Sequence, residues 1–241
     1  MPYEPIHLAA NQADIDAVRR ELGEGVSPNL LSDGLVPLHY LCCVRDNGSG
    51  DVYGHTDNRV ACFNVLVDAG ADVNAGRTQT PLSLAADRGH PKLVTAVINA
   101  GANVNWHNST GWTPLHFACR RYPPNFECVE LLLNAGAAVN ATTQPTLAAG
   151  GNTYIQRTPM DMAIIEGHQQ RIYPLLLRAG ATHSQGTTDA YLRKVRAAGG
   201  IQKYERTHLN AIAATFIPKL PLLPPEMIRR VVEYAFHVGD Y

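Results

Sequence analysis

TGWTPLHFACRRYPPNFECVELLLNAGAAVN, residues 110–140, is the stretch whose reading decides the fold. Thr113 is placed to cap a helix by accepting a backbone N–H, and Pro114 suits a first helical position, where no N–H is needed. Leu115, Ala118 and Cys119 then fall on one face of a first helix, and Val129, Leu132 and Leu133 on one face of a second. Gly136 follows, where a left-handed residue ends a helix. A unit this small cannot bury its own apolar faces, so it needs neighbours of the same shape.

The neighbours are in the chain. The opening motif recurs at Pro5-Ile6-His7-Leu8-Ala9, Pro37-Leu38-His39-Tyr40-Leu41, Pro81-Leu82-Ser83-Leu84-Ala85 and Pro159-Met160-Asp161-Met162-Ala163. The closing motif recurs at Gly25–Asn29, Gly70–Asn74 and Gly101–Asn105, and decays to Gly180-Ala181-Thr182-His183. Pro81 and Pro114 are 33 residues apart, and Pro5 and Pro37 are 32 apart. Two motifs in phase at this period resemble the ankyrin-repeat family. The resemblance implies an all-α fold, an ankyrin-repeat solenoid of helix-turn-helix pairs with β-hairpin fingers, plus a C-terminal helical cap. The repeats read as 3–29, 30–74, 75–105, 106–140 and 141–183, with a separate tail over 184–241.

In the capping first repeat, Leu8, Ala9, Val18 and Leu22 are expected to face inward, and Arg19, Arg20 and Glu21 outward. The second repeat carries an insertion, VRDNGSGDVYGHTDNR (44–59), rich in Gly, Asp and Asn, which reads as a surface loop. Tyr53 and His55 are its ring-bearing residues. The fifth repeat has a long finger, TTQPTLAAGGNTYIQ (142–156), which reads as an extended hairpin about a Gly-Gly turn. Pro174 is expected near the start of the next helix, where it can kink it. In the tail, 190–198 and 201–216 read as helices, and Met227–Phe236 as an amphipathic third.

Composition narrows the classes. The net charge is −1, with no basic footprint for nucleic acid. Residues 1–184 hold 12 Lys and Arg against 16 Asp and Glu, and residues 185–241 hold 8 against 5. The two parts can therefore attract each other. No apolar run is long enough to cross a membrane, and the first residues have neither a basic nor an apolar leader region. Five cysteines have no metal-ligand spacing. Cys42, Cys62, Cys119 and Cys128 fall at apolar helix positions and read as small buried hydrophobes of a reducing compartment, cytoplasmic or nuclear.

No nucleophile–base pair, paired carboxylates or phosphate loop is present, so no catalytic residue, cofactor or metal is expected. The resemblance implies that His39, His90, His116 and His168 belong to hydrogen-bond networks between repeats. It implies a monomeric protein-binding module that meets its protein partner through finger tips and a concave helix face. The contacts it implies are Leu35, Arg77, Gln79, Ser109, Trp112, Arg120 and Arg121 at variable positions, with Tyr154 and Gln156 from the long finger. Trp112 either meets a partner or packs on the neighbouring finger.

The tail carries a second resemblance. Leu223-Pro224-Pro225-Glu226-Met227-Ile228 followed by Val231-Val232-Glu233-Tyr234 resembles the first helix of an F-box, and Leu220-Pro221-Leu222 is similar to part of a SOCS box. This implies ubiquitin-ligase components as partners. The other reading of the tail is a cap over the open face of the last repeat.

Overall fold

The computed structural model describes residues 4–44, 55–121, 125–147, 154–166, 172–182, 189–216, 224 and 226–227. Helices come in pairs: α1 (Pro5–Gln12) with α2 (Ile15–Gly23), α3 (Pro37–Cys43) with α4 (His55–Asp68), and α5 (Pro81–Arg88) with α6 (Pro91–Asn99). Next are α7 (Pro114–Arg120) with α8 (Phe126–Asn134), a short antiparallel pair β1 (Thr146–Leu147) and β2 (Tyr154–Ile155), and α9 (Pro159–Ile165) with α10 (Tyr173–Arg178). The tail supplies α11 (Ala190–Ala197) and α12 (Ile201–Phe216). The first helices pack in one row, α1–α3–α5–α7–α9, and the second helices in another, α2–α4–α6–α8. This is the all-α repeat solenoid that the two motifs predict.

The core runs between the rows. The residue after each motif proline (Ile6, Leu38, Leu82, Leu115 and Met160) is wholly buried. Each such burial stabilises by about 1.5–3 kcal/mol. Five residues after the motif prolines, space is tighter still, and Ala10, Cys42, Ala86 and Cys119 are wholly buried there. Burial pushes the Cys42 and Cys128 thiols up to about 12 and Cys62 up to about 11. These thiols are uncharged packing atoms at neutral pH.

Each second helix ends in the same way. Gly25, Gly70, Gly101, Gly136 and Gly180 take φ between 85° and 90°. The residue after each glycine donates its N–H to a carbonyl five residues back, as Ala71 does to Leu66 and Ala137 to Leu132. That is a Schellman closure, and it leaves the glycine carbonyl free to accept from outside. The motif asparagines take it. Asn29 Nδ2 donates to Gly70 O at 2.9 Å, and Asn29 Oδ1 accepts from Asp72 N at 2.8 Å. Asn74, Asn105 and Asn140 repeat the pattern on Gly101, Gly136 and Gly180. One amide per repeat thus ties each closing turn to the next.

A second set of ties runs between helix ends. Asn125 Nδ2 donates to Gly89 O at 3.1 Å, and His90 Nε2 meets Val44 O. The buried Arg59 guanidinium donates to Leu41 O at 2.9 Å and to Asn11 O at 3.2 Å. These donors meet carbonyls at or near helix C-termini, which have no partner within their own helix.

Some local expectations differ. Leu8 is 44% exposed, because Ile6 and Ala9 already fill the inner face of α1. Glu21 is buried rather than solvated. Pro174 lies in the first turn of α10, where a missing N–H breaks no bond, so it starts the helix instead of kinking it. The second-repeat insertion is shorter than its composition suggests, since α4 already begins at His55. Tyr53, Tyr122, His168, the Gly150-Gly151 turn and most of the Met227–Phe236 segment lie outside the described residues.

The tail covers the last pair. Tyr173, Tyr191 and Tyr204 form a ladder with centroid spacings of 6.2 and 5.4 Å. Arg178 on α10 pairs with Glu205 on α12 at 2.8 Å. Burial, with Asp189 nearby, pushes the Tyr173 phenol up to about 12.

Candidate interaction surface

The face made by the first helices and their fingers is built around α7. The Thr113 N–H donates to His116 Nδ1 at 3.2 Å, so the histidine, three residues in, reaches back to the N-cap residue as the reciprocal half of a capping box. An accepting Nδ1 leaves the proton on Nε2, which donates to Arg157 O, 3.0 Å away on the next finger. His39 is arranged alike, between Val36 N and Gln79 O. Burial outweighs these bonds and lowers the pKa of both rings, which keeps them neutral. At the matching place Ser83 Oγ accepts from Thr80 N at 2.8 Å, and Asp161 Oδ2 accepts from Thr158 N at 2.9 Å. Capping needs only an acceptor; the reach to the next finger needs the imidazole. Where serine stands, the carbonyl of the next finger, Trp112 O, accepts from Asn108 N instead.

Asn108 organises the fourth finger. Its Oδ1 accepts from Thr110 N at 3.0 Å, Thr110 Oγ1 at 2.7 Å and Trp112 N at 2.9 Å. Its Nδ2 donates to Thr78 O of the third finger at 3.2 Å. An aspartate could hold the turn but could not donate to Thr78. Gln144 N donates to Thr110 O at 2.8 Å, which joins the fifth finger to the fourth. Thr143 N donates to Arg157 O and Arg157 N donates to Thr143 Oγ1, both at 3.0 Å, closing the base of the long hairpin. Beyond it Thr146 pairs with Ile155 and Leu147 with Tyr154, as the hairpin reading predicts.

Trp112 is half-buried and packs on the core rather than standing free. Its ring lies 5.2 Å from Phe117 and 5.9 Å from His116, centroid to centroid. Helical side chains lean toward the N-terminus, so Arg120, at the last turn of α7, runs back across Phe117. Its guanidinium carbon sits 5.0 Å from the Trp112 ring centre and 5.7 Å from that of Phe117. Nη2 reaches Asp87 on α5 at 3.3 Å. Asp87 also pairs with Arg88 at 3.3 Å.

The other candidate contacts are spread along the same row. Leu35 is half-buried beside a two-residue Asp33-Gly34 turn, both residues with positive φ. Arg77, Ser109 and Gln156 are exposed on the third, fourth and fifth fingers. Gln79 is half-buried and lends its carbonyl to His39. Arg121 is half-buried and lies against Gly89, where a Cβ would come within 2.5 Å of its Nε. It is therefore partly committed to inter-repeat packing. Tyr154 is placed by strand register alone. Of the expected residues the structure brings Trp112 and Arg120 into contact. The sequence reading missed Asp87, Arg88 and Phe117. One signal was available: Asp87 and Arg120 hold the same place in successive repeats, 33 residues apart. Among the described residues, no three His, Cys, Asp or Glu side chains gather as metal ligands, and no helix is long and apolar enough to cross a membrane.

A family model for ankyrin repeats, in three copies, matches residues 53–143. The chain is 32% identical over 186 residues to human "Ankyrin repeat and SOCS box protein 16", covering 73% of this chain and 36% of that protein. It is 29% identical over 161 residues to the "Putative E3 ubiquitin-protein ligase XBAT31" of Arabidopsis thaliana, covering 59% and 32%. It is 26% identical over 214 residues to the "Putative ankyrin repeat protein YahD" of Escherichia coli, covering 72% and 94%. The chain thus spans about a third of the length of the first two relatives.

Proposed function

Because this chain is built of ankyrin repeats, a protein-interaction architecture, we propose that it is a non-catalytic binding module that grips a protein partner on its first-helix face and finger tips. The observation that carries this reading is the Trp112–Phe117–Arg120 stack. An aromatic platform with a guanidinium held over it is the residue chemistry that dominates interface energetics. Leu35, Arg77, Gln79, Ser109, Arg121, Tyr154 and Gln156 flank the platform as further contacts. The partner is unnamed by the fold, since such surfaces are shaped to their targets.

Affinity capture from cell extract tests it, comparing the wild-type chain with Arg77→Ala/Ser109→Ala/Arg120→Ala. These three side chains are exposed and outside the core, so melting is expected to shift by no more than a few degrees. Loss of the captured protein supports the reading, and unchanged capture removes it.

A second reading is favoured by the human relative whose name carries a SOCS box, together with the Leu-Pro segments after α12. In it the chain is an adaptor that presents its partner to a cullin-type ubiquitin ligase through the tail. The full chain would capture ligase components, and a chain ending at residue 184 would not.

A further inference from the structure

We propose that the two guanidinium groups sharing Asp87, those of Arg88 and Arg120, form an anion-receiving point on the first-helix face that takes a carboxylate-rich segment of a partner protein. This rests on the protein-binding reading above and narrows its ligand class.

The charge does not balance locally. Arg88 and Arg120 both pair with Asp87 at 3.3 Å, and among the described ion pairs it is the carboxylate of each. One negative charge therefore answers two positive ones. The Asp87 side chain is 11% exposed, Arg88 21% and Arg120 43%, so the carboxylate is the most buried of the three and Arg120 the most open. Arg88 Nε is buried and makes no hydrogen bond within the described residues. Trp112 and Phe117 lie against the Arg120 guanidinium and limit where it can move. A planar, fixed donor edge matches the two oxygens of a carboxylate better than a mobile ammonium does.

The rest of the chain argues for a short acidic segment over a long polyanion. Residues 1–184 carry a net −4, so a nucleic acid lying along the repeats would meet repulsion beyond this point. A peptide with a few Asp or Glu residues can meet the arginines alone.

The test uses the full chain and fluorescein-labelled octaglutamate, followed by anisotropy at low and high salt. Saturable, salt-sensitive binding is expected. Arg88→Gln/Arg120→Gln is expected to weaken it by at least ~10-fold, the loss of two charge-assisted pairs. Arg193→Gln/Lys194→Gln on the exposed side of α11 is expected to change it by less than ~2-fold. Asp87→Asn frees both guanidinium groups from their shared carboxylate and is expected to tighten binding about 3-fold. That gain cannot come from a damaged fold, so it keeps the test decisive if the arginine variant unfolds. No binding of octaglutamate, equal loss in the α11 variant, weaker binding by Asp87→Asn, or tighter binding of a thymidine oligonucleotide each overturns the proposal. If octaglutamate fails while the Arg77/Ser109/Arg120 variant still loses its captured protein, the acidic ligand class falls and the binding face stands.

Discussion

At the residue scale, the repeating side chains are connectors whose chemistry is set by what they reach. Asn105 donates to Gly136 O at 3.1 Å and accepts from Ala138 N at 2.7 Å, although it sits on the surface. Asn105→Ala removes both bonds and is expected to cost about 1–2 kcal/mol in urea unfolding. His39 and His116 make the chain pH-sensitive. Their pKa values are lowered in the folded state, so the unfolded chain binds protons more readily and folding is favoured at higher pH. Their contribution is complete above about pH 6.5, the ordinary imidazole value, and falls as the pH drops below it toward the lowered folded values. Melting at pH 7.5 and pH 5.0 is expected to show a lower midpoint in acid. His39→Ser/His116→Ser copies the arrangement at Ser83, which caps without titrating. That variant is expected to be less stable at pH 7.5 and to lose part of the acid sensitivity. An unchanged pH response would mean other groups carry it.

At the element scale, fingers and helices are held by close backbone approach. Gly111 has φ +78°, and a Cβ there would meet Gln144 N at 2.8 Å and Thr143 Cα at 2.9 Å. These are backbone atoms of the next finger, and they cannot swing aside. Gly111→Ala is expected to destabilise by about 1–3 kcal/mol, from the strained φ alone before the clash is added. Loss of amide protection at Gln144, whose N–H donates to Thr110 O, would locate the damage in the joined fingers. Protection equal to wild type would mean the fingers do not depend on this contact.

At the scale of the whole molecule, the tail completes the stack. The sequence places excess negative charge in the repeats and positive charge in the tail, yet the ion pair that joins them runs the other way, with Arg178 on the repeat and Glu205 on the tail. Aromatic stacking through Tyr191 accompanies it. Tyr191 is half-buried between Tyr173 and Tyr204, and its phenol pKa is raised by burial and by Glu205. Tyr191→Ala is expected to cost about 2–3 kcal/mol and to raise binding of a hydrophobic dye, as the end of the last pair is uncovered. Stability and dye binding equal to wild type would mean α11 and α12 do not cover that end.

The repeat period, the motif prolines and the closing glycines determined the architecture by themselves, because helix starts and left-handed stops are local properties of the backbone. The helical spacing likewise placed Leu115, Ala118, Cys119, Val129 and Leu132 in the core, where they are buried. The start of α7 at Thr113 was legible, but the reach of His116 from that cap to Arg157 O was not, because it depends on where the next finger lies. Glu21 and Leu8 were misplaced because one helix face does not say how deep its neighbours lie. The candidate site was legible in part. Trp112 and Arg120 stand out as residue types at variable positions, but Asp87 and Arg88, one repeat away, look like an ordinary charged helix end. Only the stacking of α7 on α5 brings one carboxylate under two guanidinium groups, since a contact across repeats depends on side-chain direction and spacing that no single repeat contains.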